Sequence, residues 1–487
     1  MPEVTAHPLL RKTTRVLAVM LAALAVPYAS PKLRKWRVVR APWDHTHDDA
    51  VASDPTLAPV TTIGEARLEA TKNNATVTNA LPENDRIPLD AEELAKAAGS
   101  VAVIDETGAM DAFYKRLAAT IRGEKGAVTR ILHYGDSVIA SDYVSGTMRR
   151  RMQERFGDAG HGFITTANPW DWYFHNDVSH HASEGWEMSR ITGPLTRDGM
   201  YGLGGASFHT SGVASATFGT VSRGDYGRKV SRFDVYYLEQ PGGGDFQMEV
   251  KGQQPVRIST KGPVKVSRKA SVTVPDGEAS MTVRALGWGD VRMFGTVLER
   301  DVPGVVYDAL GSLGGRALLW EQMNADHWKE QMTLRDPALV VLQYGTNESE
   351  MGYVNEAQYT KWMDDLIDKV RAAAPNASIL VAAPPDRAEK GDDGRLHSMK
   401  TLLKIVALEE KIAKDEHVAF WSTFEAMGGK DSMARWVHKG LAGSDLTHPS
   451  PEGAIILGDL FFKSLVTGYD AWASRNKDAP VMDAGLD

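Results

Sequence analysis

Short apolar runs separated by amphipathic stretches restrict this chain more than any other feature. The runs are Arg130 to Tyr134, Gly304 to Tyr307, Ala338 to Gln343, Ser378 to Ala382 and His417 to Trp421. Met110, Phe113, Leu117 and Ile121 recur at helical spacing before the first run, and Val144, Met148, Met152 and Phe156 do so after it. Helices are also expected at Glu356 to Ala373, with Trp362, Leu366, Ile367 and Val370 inward, at Ser398 to Lys414, and from Pro451 to about Val466. Strands alternating with helices imply a parallel sheet joined by right-handed crossovers, an α/β fold.

The alternation is interrupted between the first and second runs. Segments Ala214 to Thr220, Phe233 to Glu239, Phe246 to Lys251, Ser271 to Val274, Met281 to Ala285 and Val291 to Leu298 alternate apolar and polar residues between Gly, Pro and Asp turns. Such spacing predicts a β-sandwich of jelly-roll type inserted at 182–301. The α/β part then occupies 100–181 and 302–470, and a tail follows at 471–487.

Residues 41–99 are polar and irregular and read as a linker, so His45, His47, Asp48 and Asp49 within it are read as solvated side chains rather than metal ligands. In residues 1–40, Arg11, Lys12 and Arg15 precede an apolar run from Val16 to Ala29, and basic residues follow it. The run suits the apolar region of an export signal and is short for a spanning helix. Export to the periplasm or cell envelope is expected, with residues 16–29 either cleaved away or kept as an inner-membrane anchor that makes membrane contact. The net charge of −8 and the lack of a long Lys/Arg run beyond residue 40 exclude a nucleic-acid partner, and the absence of cysteine excludes thiol catalysis and thiolate metal sites.

Three distant segments carry the chemistry: HYGDS at His133 to Ser137, YGTNE at Tyr344 to Glu348, and DLTH at Asp445 to His448. Ser137 falls on a strand-to-helix turn, where the first helical amides lack intrahelical acceptors and present positive charge to an oxygen. Alone, Asp136 and Ser137 would be helix caps. Asp445 and His448 are spaced so that one loop turn can hold a carboxylate against an imidazole nitrogen, fixing its tautomer. A hydroxyl, a base, an orienter and amide donors together are what acyl hydrolysis requires.

Gly135-Asp136-Ser137, Gly345-Thr346-Asn347 and Asp445-Leu446-Thr447-His448 resemble blocks I, III and V of the SGNH (GDSL-like) hydrolases, in the family's order. Leu310 to Trp320 stands where block II belongs, with Gly314 as the counterpart of its glycine and Gly315 as the alternative. Two positions depart from the pattern: Glu348 stands where an aspartate is usual, and block II lacks its leading asparagine. The resemblance implies a three-layer α/β/α sheet, Ser137 as nucleophile, His448 as base, Asp445 as its orienter, and the Ser137 amide, Gly314 amide and Asn347 side chain as oxyanion donors. It implies no metal and no organic cofactor.

A β-domain inserted after the nucleophile block is similar to that of the peptidoglycan O-acetylesterases, which carry a carbohydrate-binding-module-like domain there. The expected activity is removal of O-acetyl groups from an envelope polysaccharide, peptidoglycan first, with an O-acylated polysaccharide as the partner. A lipase or thioesterase, a glycan O-acetyltransferase and a non-catalytic glycan-binding protein are the alternatives. Trp170, Trp172 and Tyr173, with Trp186 nearby, either stack on sugar faces or pack a domain interface. His180 and His181 are expected to be rim histidines.

Overall fold

In the computed structural model, residues 101–476 and 478–480 are described. The expected N-terminal segment, the linker and the last seven residues of the tail lie outside them. Along the chain run α1 (Asp111–Ile121), β1 (Val128–Gly135), α2 (Ser137–Ala140), α3 (Val144–Phe156), β2 (Gly162–Thr165), β3 (Ser179–Ala182), β4 (Glu187–Arg190), β5 (Ala206–Thr210), β6 (Val213–Gly219) and β7 (Val230–Glu239). There follow β8 (Asp245–Val250), β9 (Val256–Ser259), β10 (Val266–Gly277), β11 (Ser280–Leu286), β12 (Val291–Glu299), β13 (Gly304–Gly311), α4 (Ala325–Arg335), β14 (Leu339–Gln343), α5 (Glu356–Ala373) and β15 (Ser378–Ala383). Last come a hairpin of β16 (Ala388–Lys390) and β17 (Leu396–Ser398), then α6 (Lys400–Asp415), β18 (Ala419–Ser422), α7 (Thr423–Ala426), α8 (Ser432–Lys439) and α9 (Pro451–Arg475).

The five-stranded sheet is ordered β13-β1-β14-β15-β18 and is parallel throughout. Successive strand residues point to opposite faces, and the packing follows: Ile131, Leu339 and Val341 join Met148, Met152, Leu457 and Phe461 of α3 and α9. Leu132, Val340 and Leu342 join Met363, Leu366 and Ile367 of α5 and Ile405 of α6. Helices therefore cover both faces, giving three layers. Each fully buried side chain of this kind contributes roughly 1.5–3 kcal/mol. Trp362, expected inward, sits at the rim of that packing, and Met363 takes the fully buried place. The last helix continues past Val466 to Arg475, into the expected tail, because Tyr469, Trp472 and Ala473 extend its buried stripe.

Strands β2 to β12 form two antiparallel sheets, one with the path β10-β7-β12-β5-β4 and with β2 on β12, the other ordered β3-β6-β11-β8-β9. Phe233, Val235 and Met293 of the first meet Phe218, Phe246, Met281 and Val283 of the second in a shared core. These sheets also draw on residues ahead of 182, since β2 pairs with β12 and β3 with β6. Both strands are four residues long and are made by distant partners, so local patterning gave no sign of them.

The first antiparallel sheet is buried on its other face too. Its Phe163, Tyr236, Leu238, Phe294 and Val297 belong to the same packed cluster as Trp328 and Met332 of α4. Charges run through this seam: Arg335 on α4 bonds Asp308 on β13 (2.5 Å) and Glu299 on β12, and Glu299 also takes Arg130 from β1 (2.8 Å) and Arg232 from β7 (2.6 Å). Burial would raise the Glu299 carboxyl, but the Arg335 charge and the Arg130 hydrogen bond override it and hold it far below the carboxylate range. Asp308 in addition accepts the Phe163 amide at 2.8 Å.

Candidate active site

β1 ends at Gly135, and Asp136 caps the short α2 by accepting the Val138 amide at 2.9 Å. Ser137 is the first residue of that helix. The turn seats directly on the end of β13, where a Cβ at Gly311 would come within 2.2 Å of the Ala140 nitrogen. Only glycine permits that approach. The strand order places β1 inside the sheet with its chain neighbours diverging to either side, the arrangement that opens a crevice at the carboxyl ends of strands.

His448 and Asp445 lie on the loop between α8 and α9, two short helices beyond β18. Asp445 Oδ1 accepts the amides of Thr447 (2.9 Å) and His448 (3.0 Å), which leaves Oδ2 for His448 Nδ1 at 2.7 Å. His448 Nε2 then lies 2.8 Å from Ser137 Oγ. With Nδ1–H donating a hydrogen bond to the carboxylate, Nε2 is the acceptor and the serine hydroxyl donates to it. Burial alone would lower the imidazole pKa, but the Asp445 hydrogen bond and charge raise it above its ordinary value. Burial would likewise raise Asp445, and the bond to His448 brings it below its ordinary value. The loop ends where Ser450 accepts the Gly453 amide and Pro451 opens α9.

Two further loops converge on the serine turn. Gly314 has φ +67° and open space where a side chain would stand, whereas the Gly315 amide is donated to the Ser312 carbonyl at 3.0 Å. Of the two glycines considered for block II, Gly314 is thus the one whose amide is not held in the turn. Asn347 follows β14, and its Nδ2 donates to the Gly315 carbonyl at 2.9 Å, tying the two loops together. Gly345, at φ +104°, leaves no room for a side chain because Ile405 lies 2.7 Å from its would-be Cβ.

Glu348 was visible in the sequence only as a departure from the family pattern. Its buried carboxylate accepts the Ala317 amide (2.9 Å) from the block II loop and the Gly345 amide (3.1 Å) from the block III loop. Burial pushes its pKa up to about 7, and the two amides pull against that rise. The signal available was an acid directly after Asn347. His133, in the first block, is a buried neutral imidazole that bridges Tyr307 (2.8 Å) and Gln343 (2.9 Å), with burial lowering its pKa to about 3.

The aromatic segment is pinned beside the serine turn: the Asn176 amide donates to Asp142 Oδ2 at 2.7 Å, and Asp142 lies two residues beyond the end of α2. Trp170 lies 5.8 Å from Trp172 and 5.4 Å from Tyr173 between ring centres. Tyr173 packs on the sandwich core, and its hydroxyl accepts the Thr165 amide at 3.2 Å. Trp186 packs on the same core and donates to the Ser215 carbonyl. The interface reading therefore fits Tyr173 and Trp186, while Trp170 and Trp172 are part-exposed. His180 packs tilted against Phe218, ring centres 5.1 Å apart, and bonds the Thr166 carbonyl. His181 lies beside it on β3.

A serine, histidine and aspartate in hydrogen-bonded series at the carboxyl edge of a three-layer parallel sheet are the arrangement of a serine esterase. Residues 278–455 match the model of the GDSL-like Lipase/Acylhydrolase family. The match starts downstream of Ser137, so the nucleophile turn lies outside it. Among solved structures, a peptidoglycan O-acetylesterase superimposes with a TM-score of 0.65 at 24% identity, covering 76% of this chain and 99% of its own. A family two carbohydrate esterase from Clostridium thermocellum gives a TM-score of 0.27 at 11% identity over 60% of this chain and 98% of its own, too loose to bear on the fold. No curated protein matches the chain by sequence.

Proposed function

We propose that the protein is a serine esterase that removes O-acetyl groups from an envelope polysaccharide, peptidoglycan in the first place, through an acyl-enzyme on Ser137. The reading is carried by the unbroken relay from Ser137 Oγ to His448 Nε2 at 2.8 Å and from His448 Nδ1 to Asp445 Oδ2 at 2.7 Å. The peptidoglycan O-acetylesterase with the same fold supports the choice of polymer. Export, with Val16 to Ala29 as signal or anchor, belongs to the same proposal. Among the described residues no helix is long and apolar enough to cross a membrane.

In the reaction, Ser137 Oγ forms a bond to the acetyl carbonyl carbon as its proton passes to His448 Nε2. The resulting oxyanion is met by the amides of Ser137 and Gly314 and by the Asn347 carboxamide, whose second N–H is not used by Gly315. Collapse breaks the bond to the sugar oxygen, which takes the proton from His448 and leaves as a hydroxyl. Water then gives its proton to His448, attacks the acetyl-serine and releases acetate, restoring Ser137. Acetate release from O-acetylated peptidoglycan, xylan and exopolysaccharide, compared between the wild type and Ser137→Ala, tests this. Serine-dependent release from at least one glycan is expected; release from none of them overturns it.

A further inference from the structure

A second concavity opens immediately beyond Asn347. It has a volume of about 300 Å³ and is walled by Glu348, Met351, Tyr353, Gln358, Tyr359 and Trp362, among others. Such a volume lies at the lower end of small-molecule sites, enough for one ring-sized group. Tyr353 is 70% exposed and Met351 48% exposed, although both are large and partly apolar. Tyr359 and Trp362 stand edge to face behind them, with ring centres 6.5 Å apart. Gln358 offers an exposed carboxamide from the first turn of α5.

The pocket and the oxyanion loop are one piece of structure. A 3-10 turn, Glu348–Met351, starts from Asn347 and forms one wall. Glu348, at the base of that turn, holds the Gly345 and Ala317 amides, so its carboxylate is committed to the protein. The remaining walls named above carry no carboxylate and no cation. An aromatic face, a carboxamide and no charge of opposite sign suit a neutral polyhydroxylated ring, which stacks its C–H face and bonds its hydroxyls. They do not select an ionised ligand.

We propose that this pocket is a subsite for the sugar residue next to the ester-bearing one, with Tyr353 as its stacking face and Gln358 as a hydroxyl partner. The proposal rests on the glycan-esterase reading above. A neighbouring sugar held here anchors the chain while the acetyl group lies over Ser137, so binding energy remote from the reacting carbonyl positions it. An isolated aryl acetate has nothing to place in the pocket.

The test compares kcat/KM on O-acetylated peptidoglycan with kcat/KM on 4-nitrophenyl acetate for wild type, Tyr353→Ala, Tyr353→Phe and Ser137→Ala, and adds 4-nitrophenyl butyrate and octanoate. For Tyr353→Ala, the loss on the polymer should exceed the loss on the aryl acetate about tenfold, the size of one remote contact. Tyr353→Phe, which keeps the ring, should recover most of it. Equal losses on both substrates overturn the subsite and leave the esterase reading standing. A changed preference among acetate, butyrate and octanoate overturns it in favour of an acyl-chain pocket. Absence of Ser137-dependent release from peptidoglycan, xylan and exopolysaccharide alike sinks the glycan-esterase reading and the subsite together.

Discussion

The carboxyl edge of the parallel sheet and the seam beneath the antiparallel layers both gather ionisable side chains, yet they treat water in opposite ways. At the edge, His448 and Asp445 each keep about a third of their side-chain surface exposed, at 32% and 33%. In the seam, Arg335, Glu299 and Asp308 keep 2% or less. A group that must gain and lose a proton in each turnover needs a modest solvation cost in both states. A charge that only holds two layers in register never changes state, so its burial is offset once by fixed partners. The same residue types thus serve chemistry in one place and assembly in the other.

Substitutions at the two places should separate these roles. The largest effect is expected for Asp445→Asn, which leaves the carbonyl-sized group in place but disfavours the required tautomer: kcat should fall by about 10⁴-fold, by analogy with other triads. The same variant carries a pH signature. His448 must be neutral to take the serine proton, and Asp445 raises its pKa, so the acid limb of kcat/KM in the wild type lies above the ordinary histidine value. Removing the carboxylate should move that limb to lower pH; a limb that stays put would separate Asp445 from the base.

Asn347→Ala comes next, with an expected loss of about 100- to 1000-fold in kcat and little change in fold. It also removes the tie to the Gly315 carbonyl, so circular dichroism and a melting curve should accompany the kinetics. Glu299→Gln, in the seam, is expected to leave kcat near the wild type and to cost about 3–5 kcal/mol of stability, because Arg335, Arg130 and Arg232 lose their shared charge. Urea denaturation reads this directly. A Glu299 variant that kept stability but lost kcat would erase the distinction between edge and seam.

Much of the edge was legible because its signals are local. Glu356–Ala373 has the helix bounds its apolar spacing predicts, and the five parallel strands lie where the apolar runs stand, each within a few residues. The order of Ser137, Asn347 and the Asp445/His448 pair also survives in the sequence as short blocks. The seam was not legible. Glu299, Asp308 and Arg335 are ordinary charged residues until folding brings β12, β13 and α4 together, and no periodicity marks them. β2 to β5 and β9 escaped notice because they are only four or five residues long, and β2 and β3 are in addition defined by partners farther along the chain. Glu348 was seen and undervalued, since a carboxylate that binds two backbone amides looks in sequence like a tolerated substitution. The aromatic cluster at Trp170 to Tyr173 was read with two outcomes, and for Tyr173 packing accounts for the ring.

The interruption between β1 and β13 also governs the order in which the molecule can be assembled. β1 pairs along its whole length with β13, from Val128 opposite Gly304 to Gly135 opposite Gly311, and on its other side with β14. Both partners emerge from the ribosome after the antiparallel strands, so at usual elongation rates the nascent β1 waits roughly ten to thirty seconds for its first neighbour. During that interval an apolar strand stands with both edges unpaired, a template for association with other chains. The layers that separate the nucleophile from the rest of its site therefore lengthen the time for which this strand lacks its partners.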